Sequence, residues 1–402
     1  MKQSVMELEN KYLIQTYARS PLVIEKGKEC WVWDANGKKY LDFVSGLGVN
    51  VLGHSHPRIV KAIREQAGKL IHVSNLYYHP YQGLLAQALA KITGMDRAFF
   101  CNSGTEAIEG AIKLARGHAR RNGKEKFEVV AMDNSFHGRT IGALSATGQE
   151  KYRRDFEPLV PGFQFVPLND TKALEARVNE RTCAIIVEPI QGEGGIFEAT
   201  SKFMETAARL AQKSGALLIC DEIQSGLGRT GEYLACHAFG IKPDVVVLAK
   251  PLAGGLPLGA ILAREEVAAG LSAGMHGSTF GGGPLACRVA LEFLTVLEKE
   301  KLLKNTRKVG DYFRRRLLAL QKKYPFIREV RGRGLMLALD LAVPSRPFVQ
   351  MGLDRGIIMN STHETVLRFL PPLIIEKKHV DQFCKTLDSI FAETAWQPSE
   401  GK

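Results

Sequence analysis

The chain has 402 residues, of which 45% are hydrophobic and 24% charged, and carries a formal net charge of +12. That length buries a large core and suits two or three domains, and the composition is that of an ordinary globular protein, which argues against a disordered or fibrous chain. No apolar stretch reaches the roughly 20 residues of a bilayer-spanning helix, and the opening segment MKQSVMELENKYLIQTYARS has neither an apolar h-region nor a small-residue cleavage site, so no signal or transit peptide is expected.

Near the N-terminus, Trp31-Val32-Trp33-Asp34, Asn36-Gly37 and residues 39–43 predict a β-hairpin with a two-residue turn. In the middle of the chain, short apolar or β-branched runs alternate with segments of helical period. Strands are predicted at 128–132, 184–187, 216–220, 245–248 and 260–263, and helices at 105–121, 201–214 and 284–301. Such alternation builds an α/β fold, a mostly parallel sheet with helices on both faces. The last hundred or so residues give long charged helices, then residues 331–340 as a loop and a strand, which suggests a smaller α+β domain. The expected division is an N-terminal segment, 1–52, that joins the small domain, a large domain over 53–285, and the small C-terminal domain over 286–402.

In open α/β sheets, ligands bind just beyond the carboxyl ends of the strands. The run 184–187 leads into Glu188 and Gln191-Gly192-Glu193-Gly194-Gly195, and 216–220 into Asp221-Glu222-Ile223-Gln224. The run 245–248 leads to Lys250, and 128–132 to Phe136-His137-Gly138-Arg139. Singly, an acid after a strand is often a helix cap, and a lysine is usually solvated. Charged groups at four strand ends predict one shared cleft. Asn102-Ser103-Gly104-Thr105-Glu106 opens a predicted helix, whose free amides and positive dipole end form an anion site. Ser103 and Glu106 fit a plain capping box equally well.

Gly226, Gly228 and Gly231 spell a dinucleotide fingerprint. No clear helix comes after them, the strand before ends in Asp221-Glu222, which repels a pyrophosphate, and no acidic residue ends a later strand at the required spacing. They read as turns that let Asp221 and Gln224 face a ligand. His54 and His56 lack a third ligand at suitable spacing and read as a helix start beside Pro57, so no metal is expected. Seven cysteines, scattered singly and without a C-x-x-C pair, predict reduced thiols in a cytoplasmic protein. The basic residues are spread along the chain without interleaved aromatics, which predicts no nucleic-acid face; the charge suits either anionic ligands or a solvated surface.

Residues 102–107, 136–140, 188–195, 221–231, the Leu248-Ala249-Lys250 run and residues 277–282 together resemble the class III, pyridoxal-phosphate-dependent ω-aminotransferases, in a match running from about residue 17 to the end. Within the class, residues 74–78 and His276-Gly277-Ser278-Thr279 are most similar to the acetylornithine branch. The resemblance implies fold type I of the pyridoxal-phosphate enzymes. It implies that Lys250 carries the cofactor and, once freed, shuttles a substrate proton, helped by a pKa that burial depresses. Asp221 would pair with the protonated pyridine nitrogen and Gln224 with the ring hydroxyl, while Phe136 and Ile223 cover the two ring faces. Ser103, Gly104 and Thr105 would hold the phosphate, joined by Thr279 of a second subunit, which implies a homodimer. Arg139 and Arg368 would each grip a substrate carboxylate, with Glu193 covering Arg368 when no second carboxylate is present; Ser278 and Tyr17 would line the substrate pocket. The implied reaction moves the terminal amino group of N-acetylornithine to 2-oxoglutarate, a step of arginine biosynthesis, with ornithine, N-succinyl-diaminopimelate and 4-aminobutyrate as alternative donors. Two positions depart from the family pattern: Pro251 follows Lys250 where Ala or Ser is usual, and Gly283 stands where Asn is common.

Overall fold

A computed structural model describes residues 4–393, so the outermost residues of the two predicted terminal segments, 1–3 and 394–402, lie outside the described residues. Seven strands form the central sheet in the order Arg97–Cys101, Gly259–Ala263, Val245–Leu248, Leu217–Asp221, Thr182–Val187, Glu128–Met132, Phe163–Val166. Gly259–Ala263 runs antiparallel to both neighbours, and the remaining adjacent pairs are parallel.

The inner strands read as continuous apolar runs because helices cover both faces of the sheet. Alternate residues serve opposite layers. Val129, Ala131, Ile186, Ile219 and Val247 pack with Ala107, Ile108 and Ala111 of the helix Gly104–Arg121. Val130, Met132, Val187, Cys220 and Leu248 belong to the other layer, with Phe203 of Ser201–Ser214 and Phe293 of Pro284–Lys299. Ser201–Ser214 starts on the Thr200 hydroxyl, which accepts the Phe203 N–H at 3.2 Å, and stops at Gly215 in a left-handed conformation. Pro284–Lys299 ends short of the predicted 301, because Lys301 adopts φ 53° and turns the chain into Leu302–Lys323.

Trp31–Asp34 and Lys39–Asp42 pair as the predicted hairpin, but the turn is longer than two residues. Gly37, at φ 80°, donates its N–H to the Asp34 carbonyl, and the Asp34 N–H reaches the Lys38 carbonyl. This is a three-residue loop closed by a left-handed glycine, and Asp34 Oδ1 supports it by accepting the N–H groups of Asn36 and Lys38. Ile357–Ile358 pairs parallel with Lys39–Asp42, so residues from both halves of the chain share one sheet. Phe43 stacks on Phe383 at 3.8 Å and meets Phe313 edge-on, adding an aromatic contact between the same regions.

Residues 331–340 are not a loop and one strand but the core of a hairpin, Ile327–Arg333 with Met336–Leu341, turning at Gly334. Val366–Phe369 and Asn360–Thr362 complete this four-stranded antiparallel sheet. All seven cysteines are buried and unbridged. Among the described residues, no helix is long and apolar enough to cross a membrane.

Candidate active site

Leu217–Asp221 lies between two parallel neighbours, and Glu128–Met132 runs parallel beyond one of them, so the carboxyl ends of four strands open on one edge of the sheet. A cavity of about 420 Å³ lies there. Ser103, Gly104, Thr105, Phe136, Arg139, Glu193, Asp221, Ile223, Gln224 and Lys250 line it, together with His137, Glu188 and residues 256–258.

Ser103 caps the helix Gly104–Arg121 by accepting the Glu106 N–H at 3.3 Å, and the Glu106 carboxylate takes the Asn102 N–H at 2.8 Å. The first-turn N–H groups still lack intrahelical acceptors, so the cap and the expected anion site are one structure. Two glycines let neighbouring side chains pack closely here. A Cβ on Gly104 would sit 2.8 Å from Ile223 Cδ1, and one on Gly138 would sit 2.2 Å from Thr105 Oγ1. Thr105 Oγ1 accepts the N–H groups of Arg139 and Thr140 at 3.2 Å, joining the helix start to the loop after Met132.

Asp221 is 4% exposed; its Oδ2 lies 2.7 Å from His137 Nδ1, and its Oδ1 accepts the Ile223 N–H at 3.0 Å. Burial drives the His137 imidazolium down, yet the hydrogen bond and charge of Asp221, with the charge of Glu188, outweigh it and raise the pKa. His137 Nε2 is buried and unpartnered. Glu188 accepts the Phe136 N–H at 3.0 Å on one oxygen and the Gly192 N–H at 3.2 Å on the other. One carboxyl group thus ties the loop of Phe136 to the loop of Glu193. Burial pushes the Glu188 pKa up to about 7, against the charge of His137 and the two N–H donors. Neither His137 nor Glu188 carries a role in the sequence reading; each was visible at a strand end, and only the long-range contacts distinguish it from a cap.

Lys250 follows Val245–Leu248 and faces the cavity at φ 35°, a left-handed value that is rare for a residue with a side chain. Pro251, in the single turn Lys250–Leu252, supplies no N–H. Burial lowers the Lys250 pKa, and the charges of Glu193 and Asp221 counter this only in part. The lowered value raises the share of neutral, nucleophilic amine.

Arg368 stands behind the cavity wall in Val366–Phe369 and is 1% exposed. Its Nη1 is 2.5 Å from Glu193 Oε1 and also donates to the Gly192 carbonyl and to Gln224 Oε1. Burial pushes Glu193 up, but Arg368 and the charge of Lys250 hold it below the ordinary carboxylate range. Arg139 is exposed, its guanidinium 4.1 Å over the Tyr152 ring, and among the described residues it has no carboxylate partner. Ser278 touches the cavity only through Asn102, whose Nδ2 donates to its Oγ at 3.2 Å. Thr279 is exposed, and Tyr17 is exposed with its ring under Arg19. The glycines 226, 228 and 231 form a tight turn, with Leu227 bonded to Tyr233 and Gly228 to Glu232. His54 pairs with Asp42 at 2.8 Å, and His56 is the N-cap of Pro57–Ala67.

The His137–Asp221 pair has a pH signature. The fold favours protonated His137, so its contribution is full below the ordinary value of 6.5 and fades as pH rises through the raised one. Glu188 acts with the same sign, since between its ordinary 4.5 and about 7 the folded protein binds more protons than the unfolded chain. The Tm of the cofactor-free protein is expected to fall as pH rises above 6.5, and less steeply in Asp221→Asn. An identical slope in that variant, measured by calorimetry, would remove the assignment to His137.

Residues 13–391 match the family model described as aminotransferase class-III. The chain is 48% identical over 395 residues to the acetylornithine aminotransferase of Methanocaldococcus jannaschii, covering 98% of this chain and 99% of that one. It is 50% identical over 380 residues to the acetylornithine aminotransferase of Aquifex aeolicus, covering 94% and 99%. The ornithine aminotransferase of Toxoplasma gondii superposes with a TM-score of 0.93 at 37% identity, over 97% of this chain and 95% of that one. A second structure of the ornithine aminotransferase from the same organism, with a TM-score of 0.91 at 36% identity over 96% and 93% of the two chains, has pyridoxal phosphate at partial occupancy in its active site.

Proposed function

The chain belongs to the class III aminotransferases, and from that premise we propose that it transfers the terminal amino group of N-acetylornithine to 2-oxoglutarate, giving N-acetylglutamate semialdehyde and glutamate. Its cofactor is pyridoxal phosphate, and the residues around the cavity fit that group. Gly104 and Gly138 let Ile223 and Thr105 close in on the helix start, that start offers N–H groups to a phosphate, and Asp221 lines the cavity and offers a buried carboxylate to a protonated ring nitrogen. In this reading Ser103, Gly104 and Thr105 hold the phosphate, Phe136 and Ile223 cover the ring, and Gln224 bonds its hydroxyl. Once bound, the cofactor supplies an electrophilic carbon that takes up the amino group and a ring that draws off electrons from the adjoining carbon. Lys250 anchors it through Nζ and then, freed, takes the proton from the carbon that bears the amino group, holds it at Nζ and returns it.

The closed Arg368–Glu193 pair beside the open Arg139 carries the substrate reading. N-acetylornithine brings one carboxylate, for Arg139, while Glu193 keeps Arg368 neutralised. The acceptor brings two, and the second displaces Glu193 from Arg368. The reading includes a homodimer in which a second copy brings Thr279 to the phosphate. Exposed Leu76, Tyr77, Tyr78 and Phe280 support it; Asn75 bonds the Ser278 and Gly281 carbonyls, which brings these side chains together beside Thr279. It also includes a small domain of residues 1–52 and 286–402 against the large domain, supported by the shared sheet at Ile357–Ile358, and a cytoplasmic setting, supported by seven unbridged cysteines.

The test is a donor panel at fixed 2-oxoglutarate. We expect kcat/KM for N-acetylornithine to exceed that for ornithine, 4-aminobutyrate and N-succinyl-diaminopimelate by about tenfold or more. A preference for 4-aminobutyrate would overturn the choice of donor.

A further inference from the structure

Arg368 presents five N–H donors on Nε, Nη1 and Nη2, and Glu193 meets only Nη1. Asn360 Oδ1 accepts from Nε at 3.0 Å and from Nη2 at 2.7 Å. Asn360 sits directly opposite Arg368 in the antiparallel register of Asn360–Thr362 with Val366–Phe369, so the backbone ladder fixes this contact. The remaining partners, the Gly192 carbonyl at 3.1 Å and Gln224 Oε1 at 3.2 Å, are neutral as well. If Glu193 swings away, four hydrogen bonds to uncharged acceptors keep the guanidinium in place. Its positive charge is then unanswered.

The same strand holds the other half of the gate. Thr362, two residues on and on the same side of the strand, donates its hydroxyl to the Glu193 carbonyl at 2.9 Å, while Ser361 between them bonds Ser345 at 2.6 Å. The Glu193 backbone is therefore tethered, and its side chain is left as the movable part. Exposure agrees with this division: the Arg368 side chain is 1% exposed and that of Glu193 23%.

Resting on the reading of Arg368 as the acceptor's second carboxylate site, we propose that Asn360 is a positioning residue that orients Arg368, and that its neutral amide is what allows Glu193 to exchange with the acceptor's carboxylate. A carboxylate at 360 would neutralise Arg368 permanently and compete with the acceptor. A side chain without an acceptor would leave Nε and one Nη2 donor unmet and the fork free to turn.

The test uses the holoenzyme and glutarate, a dicarboxylate that cannot react, with its Kd read by calorimetry beside single-turnover rates of the two half-reactions. Asn360→Asp is expected to weaken glutarate about tenfold or more and to raise KM for 2-oxoglutarate in parallel, while the N-acetylornithine half-reaction changes less than about threefold. Asn360→Ser, which keeps a neutral acceptor, should retain more of the glutarate affinity than Asn360→Asp. Glutarate binding within about twofold of wild type in Asn360→Asp, or equal losses in both half-reactions, overturns the proposal. If that variant does not fold, Asn360→Ala decides, with weaker glutarate binding expected and unchanged binding overturning it. Failure of the wild-type protein to bind glutarate would remove the Arg368 reading itself, whereas a different preferred donor leaves the glutarate result intact.

Discussion

Lys250→Ala is expected to lower turnover by about 10⁴-fold, the upper range for losing a positioned proton-transfer group. The amine belongs to the only lysine lining the cavity among the described residues, and burial holds its pKa below the ordinary lysine value. Both proposed duties, anchoring the cofactor and moving the proton, need an amine that can lose its charge. Lys250→Arg should therefore fail nearly as badly, since a guanidinium stays protonated. Two measurements check this: steady-state turnover, and whether the cofactor's visible absorbance stays with the protein through gel filtration. Turnover within about tenfold of wild type in either variant would remove Lys250 from the chemistry.

Asp221→Ala should have the next largest effect, a loss of about 10²–10³-fold in kcat at saturating cofactor, typical of removing one preorganised electrostatic group. The carboxylate is 4% exposed and bonded to a buried imidazole, so its charge acts with little solvent screening. Its removal also takes away the hydrogen bond and charge that raise the His137 pKa. His137 should then deprotonate at lower pH. Asp221→Asn preserves shape without charge and separates the loss of charge from the loss of packing. A kcat loss below about tenfold in Asp221→Asn would mean that charge at this position does not drive the reaction.

The sequence by itself determined the sheet and the edge on which the cavity opens. Runs such as 128–132 and 245–248 are apolar on both faces and end abruptly, so their limits agree with the strands observed. The polar residues just beyond each run were legible for the same reason, because the residue after a parallel strand is bound to face the common edge. The start of Gly104–Arg121 was equally local, a serine cap with an acid three residues on. Elsewhere distant contacts decided. The strand Ile327–Arg333 is charged and unevenly buried, and it exists because Met336–Leu341 pairs with it. His137 acquires meaning from Asp221, and Glu188 from the N–H groups of Phe136 and Gly192. Asn360 is an ordinary strand residue until the register sets it against Arg368, which Glu193 meets from far away in the chain. Patterns of burial and capping are written over a few neighbouring residues, so they can be read along the chain. Which buried polar group partners which depends on the packing of segments as much as 175 residues apart, and that is settled only when the sheets close.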